Sequence, residues 1–419
     1  MKTIQVFEYD KILVGASYKG VSFDQKYYNI LSNHLGINDE SSFPFYSLIK
    51  VRGIDGIKFK QYVGAIQVGD LIIEILPKAD KGNCNLDWKA FLLYMLSKVH
   101  RLKINSESTS SQKLKSSTIL DFVFLRFLNA TEELMHQGLI KTYRHQSENV
   151  NSLKGKLLFS KQISQNTIHK ERFFVRHTVY DQSHIVNRIL RMTLNCIAEI
   201  SNDVTIRQKA NSYLASFPEL ERTPITDKLF SNITYNRKTE RYKTAISLAE
   251  LILLNNMPNL SSGKRDIFAM LFDMNKLWEE FIYVTLQQNL PSNYSITAQA
   301  NKTFWERKHI TADIIIRDKY DVKRCFVLDT KWKRPEAMSP SDADLHQMYV
   351  YYKYYEATKV ALLYPTSIES EPIFRGTFAD GSETPCDLLF LPIPQRNESG
   401  RKWQDNITEV TKHWIENFA

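Results

Sequence analysis

The stretch HITADIIIRDKYDVKRCFVLDTKWK, His309 to Lys333, decides how the chain is read. Its two apolar runs, Ile314 to Ile316 and Cys325 to Leu328, flank the polar turn DKYDVKR. Each run is apolar on both faces, which predicts covered strands rather than strands with one wet side. Each strand also carries an acid, Asp313 and Asp329, that a covered strand would not carry by default. A hairpin symmetric about Asp321 puts Asp313 eight residues before the centre and Asp329 eight after it. In that register the two acids lie opposite each other, with their side chains on one face. Asp329 and Lys331 share that face, roughly 6–7 Å apart, because side chains alternate along a strand.

The Asp-x-Lys tripeptide carries none of this argument. Average composition gives roughly one or two in a chain of this length. Here there are four, at Asp24, Asp87, Asp321 and Asp329, and only the last follows an apolar strand.

Two carboxylates at that spacing repel unless a positive charge sits between them. A divalent cation does so, and Mg²⁺, with Mn²⁺ as the alternative, prefers oxygen ligands of this kind. Asp313 and Asp329 are therefore candidate metal ligands, with the Thr330 carbonyl as a further one. Lys331 would orient or help deprotonate an attacking water and offset charge on a phosphorane-like transition state. Phosphodiester hydrolysis suits this set. The bland alternative, a solvent-facing hairpin with charges on its polar side, sits poorly with strands apolar on both faces. The ends of covered strands are also where α/β sheets build sites.

The rest of the chain supplies the frame. With 419 residues it is too long for one ordinary core. Its composition, 43% hydrophobic and 24% charged, is that of a folded protein. No run of eighteen apolar residues is present, and MKTIQVFEYDK lacks the apolar core of a signal peptide. Four separated cysteines without a CxxC predict neither a disulfide framework nor structural zinc, which points to the cytoplasm. A net charge of +9 is compatible with a polyanion partner without requiring one.

The expected class is α/β (α+β overall), in three parts. Residues 1–82 are a β-rich domain, with strands broken at Gly56, Gly64 and Gly69. Residues 83–260 are mostly helical, interrupted by a basic insertion at 141–176 with eight Lys and Arg against two Glu. Lys154, Lys156 and Lys161 lie there as candidate contacts to DNA or to a partner, set against the plain reading of a solvated surface. Residues 261–419 form the last domain, entered through NLSSGKRD with Ser262 as a helix cap. Its order is a helix from Arg265 to Gln288, three strands, a helix from Asp342 and the strand KVALLY stopped by Pro365. A strand at Asp387 to Pro392 and an end helix complete it.

That order, with Ala312-Asp313 and Asp329-Thr330-Lys331, resembles the PD-(D/E)xK nuclease fold, here without its usual proline before the first acid. The resemblance implies a glutamate from the first helix in a Mg²⁺ site. Glu279 is favoured because it directly follows the aromatic, and Glu280 is the alternative. It also implies a supporting or DNA-contacting role for Gln347. A longer set of motifs is similar to the McrC family: VGAIQVGDLIIEILPK (Val63 to Lys78), LKGKLLFSKQISQN (Leu153 to Asn166), VNRILR (Val186 to Arg191), LFDMNKLWEEF (Leu271 to Phe281), LDTKWK and HQMYVYYKYY.

McrC proteins are nuclease subunits of modification-dependent restriction systems. The likeness implies an endonuclease acting on DNA with an McrB-type AAA+ GTPase ring, which it joins through its N-terminal part and stimulates, and with no membrane involved. The absence of GxxxxGK[ST] agrees with a motor on another chain. One site per chain predicts a second copy for double-strand cleavage. The rival readings are a non-catalytic, GTPase-activating adaptor and a stand-alone nuclease.

Overall fold

The structure is a computed structural model. It describes residues 2–37, 45–78, 87–99, 118–221, 223–254, 267–321, 323–333, 339–366, 371–379, 384–394 and 400–417. Two compact units result: Met1–Ile119 with Pro258–Ala419, and Leu120–Met257. Ser262 and Cys84 lie outside the described residues, and the other three cysteines are buried. No described helix is long and apolar enough to cross a membrane.

The first unit contains a sheet built from both ends of the chain. Leu71–Leu76 lies between Lys2–Phe7, parallel to it, and Tyr62–Val68, antiparallel to it. All six residues of Leu71–Leu76 are buried, as its apolar run requires. The fourth strand is Ile267–Asp273, paired with Tyr62–Val68. This corrects the expected helix from Arg265: the helix begins at Met274, capped by the Asp273 side chain. The run IFAMLF is apolar without a break, so periodicity does not separate a buried strand from a buried helix. A partner strand about two hundred residues earlier in the chain decides the matter.

Gly64 does not break its strand either. Tyr62–Val68 runs through it at φ 134°, and an added Cβ would lie 2.1 Å from the Met270 carbonyl oxygen. Glycine is thus what lets Ile267–Asp273 approach. Gly64→Ala is expected to cost at least about 2 kcal/mol, from backbone overlap together with an unfavourable φ. A fall in the urea midpoint at unchanged slope would show it, and an unchanged midpoint would contradict it.

The same unit holds a six-stranded mixed sheet, ordered Tyr294–Trp305, Lys308–Asp318, Cys325–Thr330, Lys359–Thr366, Cys386–Pro392, Ile373–Phe374. The first three strands are antiparallel in sequence, and Cys325–Thr330 then runs parallel to Lys359–Thr366. Pro365 sits inside its strand instead of stopping it. With Met274–Asn289 before and Asp342–Tyr354 between, the order is helix, three strands, helix, strand. The hairpin register is the expected one: Ile314↔Leu328, Ile315↔Val327, Ile316↔Phe326 and Arg317↔Cys325 are all centred on Asp321.

Ile315, Val327, Val360 and Leu362 pack with Met348 and Tyr351 of the helix Asp342–Tyr354. Elsewhere in the unit Trp278, Phe281 and Trp403 stack at ring separations of 4.5–6.2 Å, with Phe91 and Trp332 against them. This buried aromatic cluster anchors the residue that follows Lys331.

The second unit is helical, with Ile119–His136 leading into it, then Ile185–Ile200, Val204–Ser216 and Lys243–Leu254. The basic insertion is a small β structure: Thr142–Val150 pairs with Phe173–Asp181, which pairs with Lys156–Leu157. The short helix Phe159–Asn166 sits among these strands in sequence.

Candidate active site

Residues 314–316 and 326–328 are all buried, so the hairpin strands are covered on both faces. Continuing the paired register by one residue sets Asp313 across from Asp329, where the ladder gives way to side-chain contacts. Asp313 Oδ2 accepts hydrogen bonds from the Thr330 backbone N–H at 2.8 Å and from its hydroxyl at 3.1 Å. Asp329, 1% exposed, forms an ion pair with Lys331 Nζ at 2.7 Å.

The Lys331 ammonium has two further partners, Asp344 at 3.6 Å and the Gln347 amide oxygen at 3.2 Å. Gln347 closes the ring by donating to Asp329 Oδ1 at 3.2 Å and to the Tyr351 hydroxyl at 2.6 Å. The Tyr351 hydroxyl in turn donates to the Thr311 carbonyl, two residues before Asp313. One helix thus braces both acid-bearing strands.

The charges show how strained this arrangement is. Burial first, and then the charge of Asp313, push the Asp329 carboxyl above its usual range. Burial raises Asp313 as well, against the hydrogen bonds from Thr330 and the charge of Lys331. Burial alone would lower the lysine, yet Asp329 and Asp344 hold it above its ordinary value. Asp344 is burdened by burial too, but hydrogen bonds from Ser341 and Lys333 and the charge of Lys331 keep it low.

Of the two glutamates, Glu279 shares the field of this pair. Its carboxyl is raised to about 7, by burial first and then by Asp313. For Glu280 burial acts with Lys276 as the charged neighbour. Glu279 accepts a hydrogen bond from the Gln299 amide. Gln299 has φ 49°, and its place in the ladder, between Ala298↔Ile314 and Ala300↔Ala312, is opposite Asp313. Left-handed residues of this kind concentrate at functional sites.

Whether a metal suits these residues is decided by the donor set. Asp313, Asp329 and the Thr330 carbonyl offer hard oxygens, and the two carboxylates are both raised by burial, Asp329 also by the charge of Asp313. That fits a hard divalent cation. Among the described residues no three His, Cys, Asp or Glu side chains converge as they stand. Glu279 is turned to Gln299.

The sequence reading overlooked several residues here. Asp344 was visible as the acid of a Ser341-x-x-Asp344 cap, three residues before Gln347 on the same helix face, and Tyr351 as the residue four beyond it. Glu8 had no local signal. Its Oε1 accepts from the Trp332 indole N–H at 2.6 Å and from the Lys78 N–H at 2.8 Å. It therefore ties the first strand of the chain to the residue after Lys331.

Burial first, with Asp273 adding to it, raises the Glu8 carboxyl from about 4.5 to about 7. Between those values the folded state keeps a proton that the unfolded chain has released, so stability falls as pH rises through that window and levels off above it. The contribution is on the order of 3 kcal/mol. Glu8→Gln should lack it. Urea midpoints at pH 5 and pH 8 should diverge between the two proteins, and parallel curves would contradict the buried acid.

Lys154, Lys156 and Lys161 belong to the other unit. Lys154 is paired with Glu148 at 2.9 Å, and Arg144 with Asp181 at 2.8 Å, so these two basic side chains are offset by acids of the same β structure. What the sequence did not show is its apolar exposure: Leu153, Phe159, Ile163 and Ile168 are 61–87% exposed.

Comparison with known proteins gives three findings. Residues 57–365 match a family model described as McrBC 5-methylcytosine restriction system component. Over 205 residues the chain is 22% identical to the type IV methyl-directed restriction enzyme EcoKMcrBC of Escherichia coli K12, covering 48% of this chain and 59% of that protein. The chain thus spans less than two thirds of that relative. The fold matches, over 99% of this chain and 100% of the other, a chain of the refined half-complex from the tetradecameric assembly of Thermococcus gammatolerans McrB AAA+ hexamers with bound McrC, at TM-score 0.70 and 19% identity. At that identity the likeness is one of fold.

Proposed function

The chain belongs to the McrBC family of 5-methylcytosine restriction system components, and on that premise we propose that it is the nuclease subunit of such a system, a metal-dependent DNA endonuclease with a PD-(D/E)xK core. The observation that carries this reading is the pair of half-buried Asp313 and buried Asp329, held across a covered hairpin with Lys331 2.7 Å from Asp329.

Asp313, Asp329 and the Thr330 carbonyl would hold Mg²⁺ or Mn²⁺, with Glu279 as the further acid. When bound there, the cation would supply Lewis-acid polarisation of the scissile phosphate. Lys331, steadied by Asp329, Asp344 and Gln347, offsets negative charge on the phosphoryl oxygens as water attacks and the bond to the leaving sugar oxygen breaks. Gln347 and Tyr351 keep the two acid strands in register. A double-strand cut takes two copies, since each chain carries one such site.

The partner is a McrB-like AAA+ GTPase ring that selects the DNA and whose hydrolysis this chain stimulates. Residues 1–82 are the N-terminal part expected to join the ring, and the exposed apolar residues of the second unit support a further docking role there, because exposed apolar side chains of this kind mark interaction surfaces. Lys156 and Lys161 beside them would serve the same contact or DNA.

The test is a methylated plasmid incubated with this chain, its AAA+ partner, GTP and Mg²⁺. Linear product that disappears in EDTA is expected. Cutting that survives EDTA, or none with any divalent metal, would overturn the reading.

A further inference from the structure

The strand that carries Asp313 does not begin at the sheet. Residues 301–309, the end of Tyr294–Trp305 and the start of Lys308–Asp318, are all exposed although they remain paired from Asn301↔Thr311 to Trp305↔Lys308. A two-stranded ribbon therefore extends from the catalytic hairpin largely in solvent. At its tip Trp305 is 60% and Phe304 45% exposed, beside Arg307 and Lys308. One side of it is fixed: the Phe304 ring packs on Tyr354 at 4.9 Å, the Tyr354 hydroxyl donates to the Phe304 carbonyl at 3.2 Å, and Lys302 donates to the Tyr354 carbonyl. The mount is thus the far end of the helix that bears Gln347.

We propose that this ribbon enters the major groove of duplex DNA and sets the duplex against the site, an inference that rests on the DNA-endonuclease reading. The occupant follows from dimensions and charge. Paired strands about 4.8 Å apart fit a groove about 12 Å wide, which admits a two-stranded ribbon. Arg307 and Lys308 against Glu306 make the tip cationic, and Trp305 can meet the apolar edges of bases. Asp313 is five positions along the strand from Lys308, roughly 17 Å, or about five phosphate steps along one DNA strand. The tip then grips the duplex about five base pairs from the bond to be cut.

The experiment measures binding of the full chain, without its partner and in Ca²⁺, to a labelled 30-bp duplex across a salt series. Arg307→Ala/Lys308→Ala should lower affinity about tenfold or more and reduce the slope of log K against log salt by about 2. Trp305→Ala should lower affinity about five- to tenfold with little change in slope. Tyr320→Ala, an exposed aromatic in the turn at the other end of Lys308–Asp318, serves as control and should change neither. Melting temperatures should match the wild type throughout, because these side chains are outside the core. Unchanged affinity and slope in the ribbon variants overturn the proposal. So does loss of AAA+ partner binding with DNA binding intact, or failure of the wild type to bind the duplex below about 10 µM at low salt. The nuclease reading fails separately: wild-type chain that binds DNA through the ribbon but never cuts it would leave this inference standing and remove the other.

Discussion

Lys331→Ala is expected to lower DNA cleavage by about 10³-fold or more while Mn²⁺ binding survives, because on the proposed mechanism the lysine contributes charge to the transition state and no metal-ligand atom. Its Nζ sits 2.7 Å from Asp329 and 3.6 Å from Asp344, so its removal also leaves two acids facing one another. A destabilisation of a few kcal/mol in metal-free buffer accompanies the loss of activity. Divalent metal should restore much of that stability and none of the rate. Measuring Mn²⁺ affinity, urea midpoint and cleavage rate on the same preparations separates the effects. A variant that cuts at the wild-type rate would remove Lys331 from the chemistry.

The second large effect concerns the partner. Phe159 and Ile163 are 70% and 69% exposed, one helical turn apart on Phe159–Asn166, and Ile168 follows at 87%. Water-exposed side chains of this size gain most when a partner covers them, and truncating the central apolar residues of an interface costs about 2–4 kcal/mol each. Phe159→Asp/Ile163→Asp should therefore weaken association with the AAA+ ring by about 100-fold or more and abolish stimulation of GTP hydrolysis, with melting unchanged. Undiminished stimulation at low protein concentration would place the docking surface elsewhere.

How much of this was legible in the sequence varied with distance along the chain. The register of the acid hairpin was readable because both strands, their turn and their centre at Asp321 lie within one stretch, and the paired residues have that centre. Gln347 was readable through a family likeness, and its contacts to Asp329 and Lys331 are now geometric facts. Glu8 was not readable, since its partner Trp332 is 324 residues away. Ile267–Asp273 failed for the same reason: an unbroken apolar run takes its conformation from whichever neighbour pairs with it, here Tyr62–Val68. The insertion's charge was counted correctly, but sequence does not show that Lys154 and Arg144 are paired, or that Phe159, Ile163 and Ile168 lack cover.

One comparison bears most directly on the central claim. Wild type and Asp329→Asn are each assembled with the AAA+ partner, GTP and Mg²⁺ on methylated plasmid, and both GTP hydrolysis and plasmid cutting are recorded. Asn keeps the shape of Asp329 and removes a carboxylate that burial and Asp313 already disfavour. Equal GTP hydrolysis, with plasmid linearised by the wild type and left intact by the variant, is the predicted result. Equal cutting by both proteins would contradict the assignment of Asp313, Asp329 and Lys331 as the nuclease site.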